Sequence, residues 1–390
     1  FKQKTAYEIR LSLVGSEMCI RDRFISERKQ SAMLRKFTVM AICLVLSFIV
    51  SVTLVAQESN ADLDADYAVP DELVLNYVPA GIEELLFSRN ALYRIDYRQV
   101  ITEVNVLDAP NGNILYHRAL AEYYVSLIGI EGDWAQINPG EWIPASSLGP
   151  AYYSRLGGIL FREGDTMEYP MGWNRRIVFI STAPGVAPRE ANDNALPKYE
   201  MLTFFARIEV DGVEWVQIGV DQWLPADAVN VIEPIEMPET VDSAVWVAVD
   251  VANQVVMAYE GDKLVFATLT ATGEPWSPTE PGTFHVYAQF DPRLMTRGNP
   301  NDTWFYYMED VPYTFYFNGD RALHGAFWHD NFGVVQSHGC VNMSLTAANW
   351  IYRWGRNYMD NRADDEPPMV VFVYDKNLPD WGLIPAETEA

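Results

Sequence analysis

Three of the chain's five histidines fall within residues 322–343, ALHGAFWHDNFGVVQSHGCVNM. Its one cysteine downstream of Cys43, Cys340, lies there too. Imidazoles packed around a thiol suit nucleophilic acyl transfer: a histidine takes the thiol proton and the thiolate attacks a carbonyl carbon. A nearby imidazole is also expected to make thiolate available at neutral pH. Two histidines compete to be the base. His338 stands two residues before Cys340 and His324 sixteen before, and the residues alone leave both open. Gly325 and Gly339 permit close backbone approach and tight turns. Backbone N–H groups at Gly339 and Cys340 are the expected oxyanion hole. His324, His329, His338 and Cys340 could in principle ligate zinc. No second cysteine pair and no His-Glu-x-x-His pattern accompanies them, so no metal site is assigned.

The run Ser337–Met343, SHGCVNM, with His324-Gly325 upstream, resembles the L,D-transpeptidases that cross-link bacterial peptidoglycan. The resemblance covers about residues 246–374. It implies Cys340 as nucleophile, His324 as general base and acid, and His338 as support for the pocket. In the family a serine side chain or a backbone carbonyl orients the base. Here the neighbour is Gly325, which offers only its carbonyl. Ser337 is expected to anchor the loop and, with Asn342, Tyr306, Tyr307 and Trp328, to contact substrate, Met308 joining the two tyrosines as a candidate for the acyl-donor wall. Asn342 stands where many relatives carry arginine, and an amide cannot hold a carboxylate bidentately. The resemblance further implies a stem tetrapeptide as donor, a diamino-acid side-chain amine as acceptor, and no cofactor. Carbapenems would acylate Cys340. An L,D-carboxypeptidase, attachment of a protein to the wall, and a non-catalytic wall-binding scaffold remain as alternatives.

The elements that must hold these residues read as mainly β. Residues 244–375 are the expected catalytic domain, a β-sandwich with a helix after the catalytic loop. VWVAVDVANQVVMAYEGDKLVFATLTATG alternates apolar and polar residues around a Glu260-Gly261-Asp262 turn, which predicts hairpins. Thr272-Gly273 and Pro278–Phe284 are the counterparts of family segments that precede the site. VPYTFYFNG predicts a strand leading to His324, and Met369–Asp375 a strand closing the sheet. Ser344 is an N-cap for LTAANWIYRWGRNYM, whose Leu345, Ala348, Ile351 and Tyr352 share a face.

Upstream the chain repeats itself. WAQI and WIPA at Trp134 and Trp142 match WVQI and WLPA at Trp215 and Trp223, eight residues apart in both copies. This internal repeat of roughly 80 residues resembles two SH3-like wall-associated β-barrel modules, expected at 98–150 and 175–230. A connector is expected at 151–174 and a linker at 231–243. Trp142 and Trp223 are expected to fill barrel cores or to pack the modules together.

The ends bound the setting. Net charge is −25. Beyond residue 56 the chain carries 19 Lys and Arg against 49 Asp and Glu, a balance of −30 that argues against nucleic-acid binding. Residues 37–56 form an uncharged apolar run after Arg35-Lys36, so 33–56 is expected to be a signal peptide or a membrane anchor. That places the remainder in the cell envelope. Residues 1–32 fit no domain and read as a non-native or disordered extension, 57–97 as an acidic linker and lead-in, and 376–390 as a tail. An exported domain with one unpaired thiol is one that uses it.

Overall fold

The computed structural model describes residues 69–78, 82–162, 167–188, 194–299, 302 and 305–383. The expected extension at 1–32, the apolar segment at 33–56, residues 57–68 of the acidic linker and the last seven residues of the tail lie outside the described residues.

A seven-stranded sheet is the frame. Its order is Glu83–Glu84, Ile159–Leu160, Lys263–Leu269, Val255–Glu260, Val245–Asp250, Val370–Tyr374 and Gly282–His285. Period-two alternation sorts its side chains. Val245, Val247 and Val249 face one core, with Phe315, Leu323, Val341, Met343 and Ile351. Trp246 and Ala248 face a second, with Met171, Trp173 and Phe332. Each large apolar side chain taken fully out of water contributes about 1.5–3 kcal/mol, and these two layers hold most of the fully buried ones. Val370–Tyr374 was expected to close the sheet. It instead runs inside it, parallel to Val245–Asp250 and antiparallel to Gly282–His285. All five of its residues are buried, as a strand covered on both faces requires.

A second sheet, Ala288–Phe290, Thr314–Asn318, Arg321–Gly325 and Val341–Met343, lies in the first core. The helix Leu345–Asn361 follows at once. Ser344 Oγ accepts the Ala347 N–H at 3.1 Å, satisfying one of the donors a helix start leaves open. Leu345, Ala348, Ile351 and Tyr352 are buried together.

The upstream repeats take matching local structure. Trp134 pairs with Pro144, Ala135 with Ile143 and Gln136 with Trp142. Trp215 pairs with Pro225, Val216 with Leu224 and Gln217 with Trp223. In each copy the register shifts just after the glutamine, and a short 3-10 turn follows the second strand. Trp142 and Trp223 do not fill the cores. Ile143 and Leu224 are the fully buried residues, and alternation turns each tryptophan to the other side, where it is half-buried.

Segments read as linkers join the frame. Glu83–Glu84 and Ile159–Leu160 extend the edge of the seven-stranded sheet. A five-stranded sheet, Arg293–Arg297, Tyr306–Val311, Glu122–Ser126, Tyr97–Val100 and Leu148–Pro150, runs from the catalytic region into the first repeat. Its middle pairing is parallel, with Tyr306 beside Glu122, Tyr307 beside Tyr123 and Met308 beside Tyr124.

Candidate active site

Arg321–Gly325 and Val341–Met343 are parallel neighbours, with His324 opposite Asn342. Cys340 stands two residues before Asn342, so strand parity directs it to the same face as His324. With strands about 4.8 Å apart and a rise of about 3.3 Å per residue, the two Cα atoms are about 8 Å apart. A cysteine and a histidine span that distance.

Thr272 to Thr279 braces the loop carrying the thiol. Ser277 Oγ donates to the His338 carbonyl at 2.9 Å and Thr279 Oγ1 to the Gly339 carbonyl at 3.0 Å. Glu274 N donates to the Ser337 carbonyl at 2.9 Å. Gly273 passes so close that a Cβ there would stand 2.2 Å from the Ser277 carbonyl oxygen. Gly339 turns the loop at φ +107°, a conformation that side chains disfavour. Ser337 Oγ donates to the Cys340 carbonyl at 2.5 Å and accepts the Gly339 N–H at 3.1 Å. That corrects the expected oxyanion hole: the Gly339 N–H is already engaged. The Cys340 N–H has no hydrogen-bond partner among the described residues.

His324 is buried at 2% exposure. Its Nδ1 lies 3.3 Å from the Gly325 carbonyl oxygen. A proton on Nδ1 donates there and leaves Nε2 as the basic nitrogen. Burial lowers the His324 pKa to about 4, the Gly325 carbonyl pulling it back only in part. Burial pushes the Cys340 thiol up to about 11, against the Ala322 backbone N–H that favours thiolate. The sulfur is crowded by protein although the residue as a whole is half-buried. The expectation of thiolate at neutral pH is therefore corrected: the resting pair is neutral, because burial penalises both charged forms. The thiol donates to the Asp320 carbonyl at a long 3.7 Å. Among the described residues, no imidazole is hydrogen-bonded to the sulfur. Rotation about the Cα–Cβ bond of Cys340 is what would bring it to His324.

The site residues meet in one cavity of about 180 Å³. Cys340, His324, His338, Ser337, Asn342, Trp328 and Tyr306 line it, together with Glu122, Met295, Met308 and Gln336. The His338 ring stands edge-on to Trp276 at 4.7 Å and 5.1 Å from Tyr306. Trp328 lies 5.5 Å from the His324 ring. Upstream strands hold it there, since Tyr124 Oη donates to the Trp328 carbonyl at 3.2 Å and Tyr97 stacks on Phe327 at 3.6 Å. Tyr307 is not brought to the cavity. Alternation sends it to the opposite face, against Tyr123 and beneath the Arg118 guanidinium.

The Asn342 amide is buried, 3.1 Å from His329 Nε2. His329 Nδ1 accepts the Asn331 N–H at 3.2 Å, and burial lowers the ring's pKa to about 3. A neutral ring that accepts at Nδ1 carries its proton on Nε2, so the amide meets it with its oxygen. No group of three or more His, Cys, Asp or Glu among the described residues is arranged to hold a metal ion.

Residues 244–369 match the family model described as YkuD, L,D-transpeptidase catalytic domain. This part of the chain is an L,D-transpeptidase catalytic domain. No curated protein matches the chain. Among solved structures it is similar to an Enterococcus faecium L,D-transpeptidase C442S mutant, at 19% identity and TM-score 0.29, covering 37% of this chain and 55% of that one. It is similar to an L,D-transpeptidase from Stackebrandtia nassauensis at 23% identity and TM-score 0.25, covering 34% and 57%. One from Mycobacterium smegmatis matches at 16% identity and TM-score 0.29, covering 58% and 99%. The chain thus spans little more than half the length of the first two. The cavity residues absent from the sequence reading are Met295 and Gln336 of the transpeptidase domain and Glu122 of the first repeat. Gln336 directly precedes the SHGC run and was legible by position. Glu122 lies far upstream and gave no signal.

Proposed function

We propose that the chain is an L,D-transpeptidase that forms 3→3 peptidoglycan cross-links through an acyl-enzyme on Cys340. The observation that carries this reading is the single cavity into which Cys340, His324, His338 and Trp328 open, with His324 presenting Nε2. The thiol of Cys340 swings from Asp320 to His324. Nε2 takes its proton as sulfur attacks the carbonyl at stem position three. A neutral pair suits this, because charge develops only as the C–S bond forms. The Cys340 N–H stabilises the oxyanion. The terminal D-alanine leaves with a proton from His324. A diamino-acid side-chain amine then displaces the thiolate, His324 again taking and returning the proton. No cofactor enters these steps, and a carbapenem would acylate the same sulfur. The chain would act in the cell envelope, exported or anchored by 33–56, with the repeats serving as SH3-like modules against the wall.

Intact-mass measurement after incubation with a stem tetrapeptide tests this. The native protein should gain the mass of the donor less D-alanine, and Cys340→Ala should gain nothing. A cross-linked dimer among the products indicates transfer, whereas a shortened monomer alone indicates the carboxypeptidase. Absence of any adduct on the folded native protein would overturn the proposal.

A further inference from the structure

One wall of the acyl cavity includes a residue from outside the transpeptidase domain. In the five-stranded sheet, Tyr306 has Arg297 directly beside it on one strand and Glu122 on the other. Residues paired across a sheet point to the same face. Tyr306, Met308, Met295 and Glu122 accordingly line the cavity that holds Cys340. Glu122 belongs to the first repeat. Its side chain is open to water and makes no hydrogen bond or ion pair among the described residues. Surrounding protein nonetheless raises its carboxyl above the ordinary range by desolvation. Arg297 also lacks an ion pair among the described residues, and its charge reaches His338 and Cys340. The row therefore runs from cation through phenol to carboxylate, with the negative end supplied by the upstream repeat.

A carboxylate without a partner, the one acidic side chain in a cavity otherwise lined by methionine, aromatic, imidazole, thiol and neutral polar groups, is complementary to a cation. The donor's reacting end is a neutral amide. Both stems carry a diamino-acid ammonium, but only in the acceptor is it the reacting group, an ammonium until it loses its proton, and the acylation arm of the test below reads the donor's. We propose that Glu122 binds the ammonium of the incoming acceptor and seats it beside the Cys340 thioester. This makes the first repeat a part of the acceptor site. The inference rests on the acyl-transfer reading above and concerns binding before attack, the later steps remaining those of Cys340 and His324.

Two measurements separate the steps. The first follows acylation of Cys340 by tetrapeptide donor alone, by intact mass. The second follows product formation against the concentration of meso-diaminopimelate as acceptor. Glu122→Gln should raise the acceptor KM roughly tenfold or more, since a charge-assisted contact is lost, and by a larger factor than it slows acylation. Glu122→Asp should fall between. Added salt should raise the native KM and leave that of Glu122→Gln nearly unchanged, a response that a merely structural role would not give. Equal KM values for native and Glu122→Gln protein, or a loss confined to acylation, would overturn the inference while leaving the acyl-enzyme intact. Failure of the native protein to acylate at all would sink both readings.

Discussion

Arg118→Ala should unfold the joint between the first repeat and the transpeptidase domain. Arg118 and Glu309 are each 6% exposed, with Nη2 and Oε1 3.8 Å apart. The guanidinium also lies 4.7 Å from the Tyr123 ring centre and 4.5 Å from that of Tyr307. Removing one partner of a buried pair costs about 3–5 kcal/mol, because the other charge stays behind unpaired. Here Glu309 keeps the Ser126 N–H at 3.2 Å and the Asn138 amide at 3.3 Å, which moves the cost to the lower end. Each lost cation–π contact adds about 0.5–1 kcal/mol. The expected loss is about 4–5 kcal/mol, read from urea unfolding. Burial already raises the Glu309 pKa, and loss of Arg118 raises it further. The folded variant then binds a proton that the unfolded chain releases, so its deficit grows as pH rises through that range. The loss should be smaller at about pH 5 than at about pH 7.5. Glu309→Gln added to Arg118→Ala removes the stranded charge and should restore at least half of the stability. A single variant costing under about 1 kcal/mol, or a double variant no better than the single, would refute the argument that a buried charge pair ties the two parts together.

Cys340 alkylation by iodoacetamide should rise about tenfold per pH unit from about pH 7 to about pH 10, as only the thiolate reacts; a plateau below about pH 8 would contradict a thiol held near 11. His324→Gln should slow acylation by about 10²–10⁴-fold, with His338→Gln costing less, both read as the rate of adduct formation. Stability should fall on acidification. His324 and His329 resist protonation until about pH 4 and about pH 3, whereas the unfolded chain protonates them near about pH 6.5. Their contribution is therefore complete above about pH 6.5 and is lost as pH drops toward about 4, by about 3 kcal/mol for each at most. Urea midpoints of the native protein and His329→Gln across that range provide the check.

Sequence alone carried the reactive centre and much of its frame. SHGC with an upstream His-Gly marks the thiol and its base because those residue types at that spacing have few structural uses. Ser344 before a periodic apolar stretch marks the helix start, since capping and amphipathic packing are local. The alternation at Val245–Asp250 and the doubled Trp-x-Gln-Ile pattern were legible for the same reason. Only the tertiary structure decided what depends on distant neighbours. It put Tyr307 behind the wall and Glu122 inside it, because pairing between strands nearly 200 residues apart sets which face each presents. It engaged the Gly339 N–H with Ser337 Oγ. It also decided that the resting thiol keeps its proton, because ionisation answers to the surrounding protein, which a list of residue types does not contain.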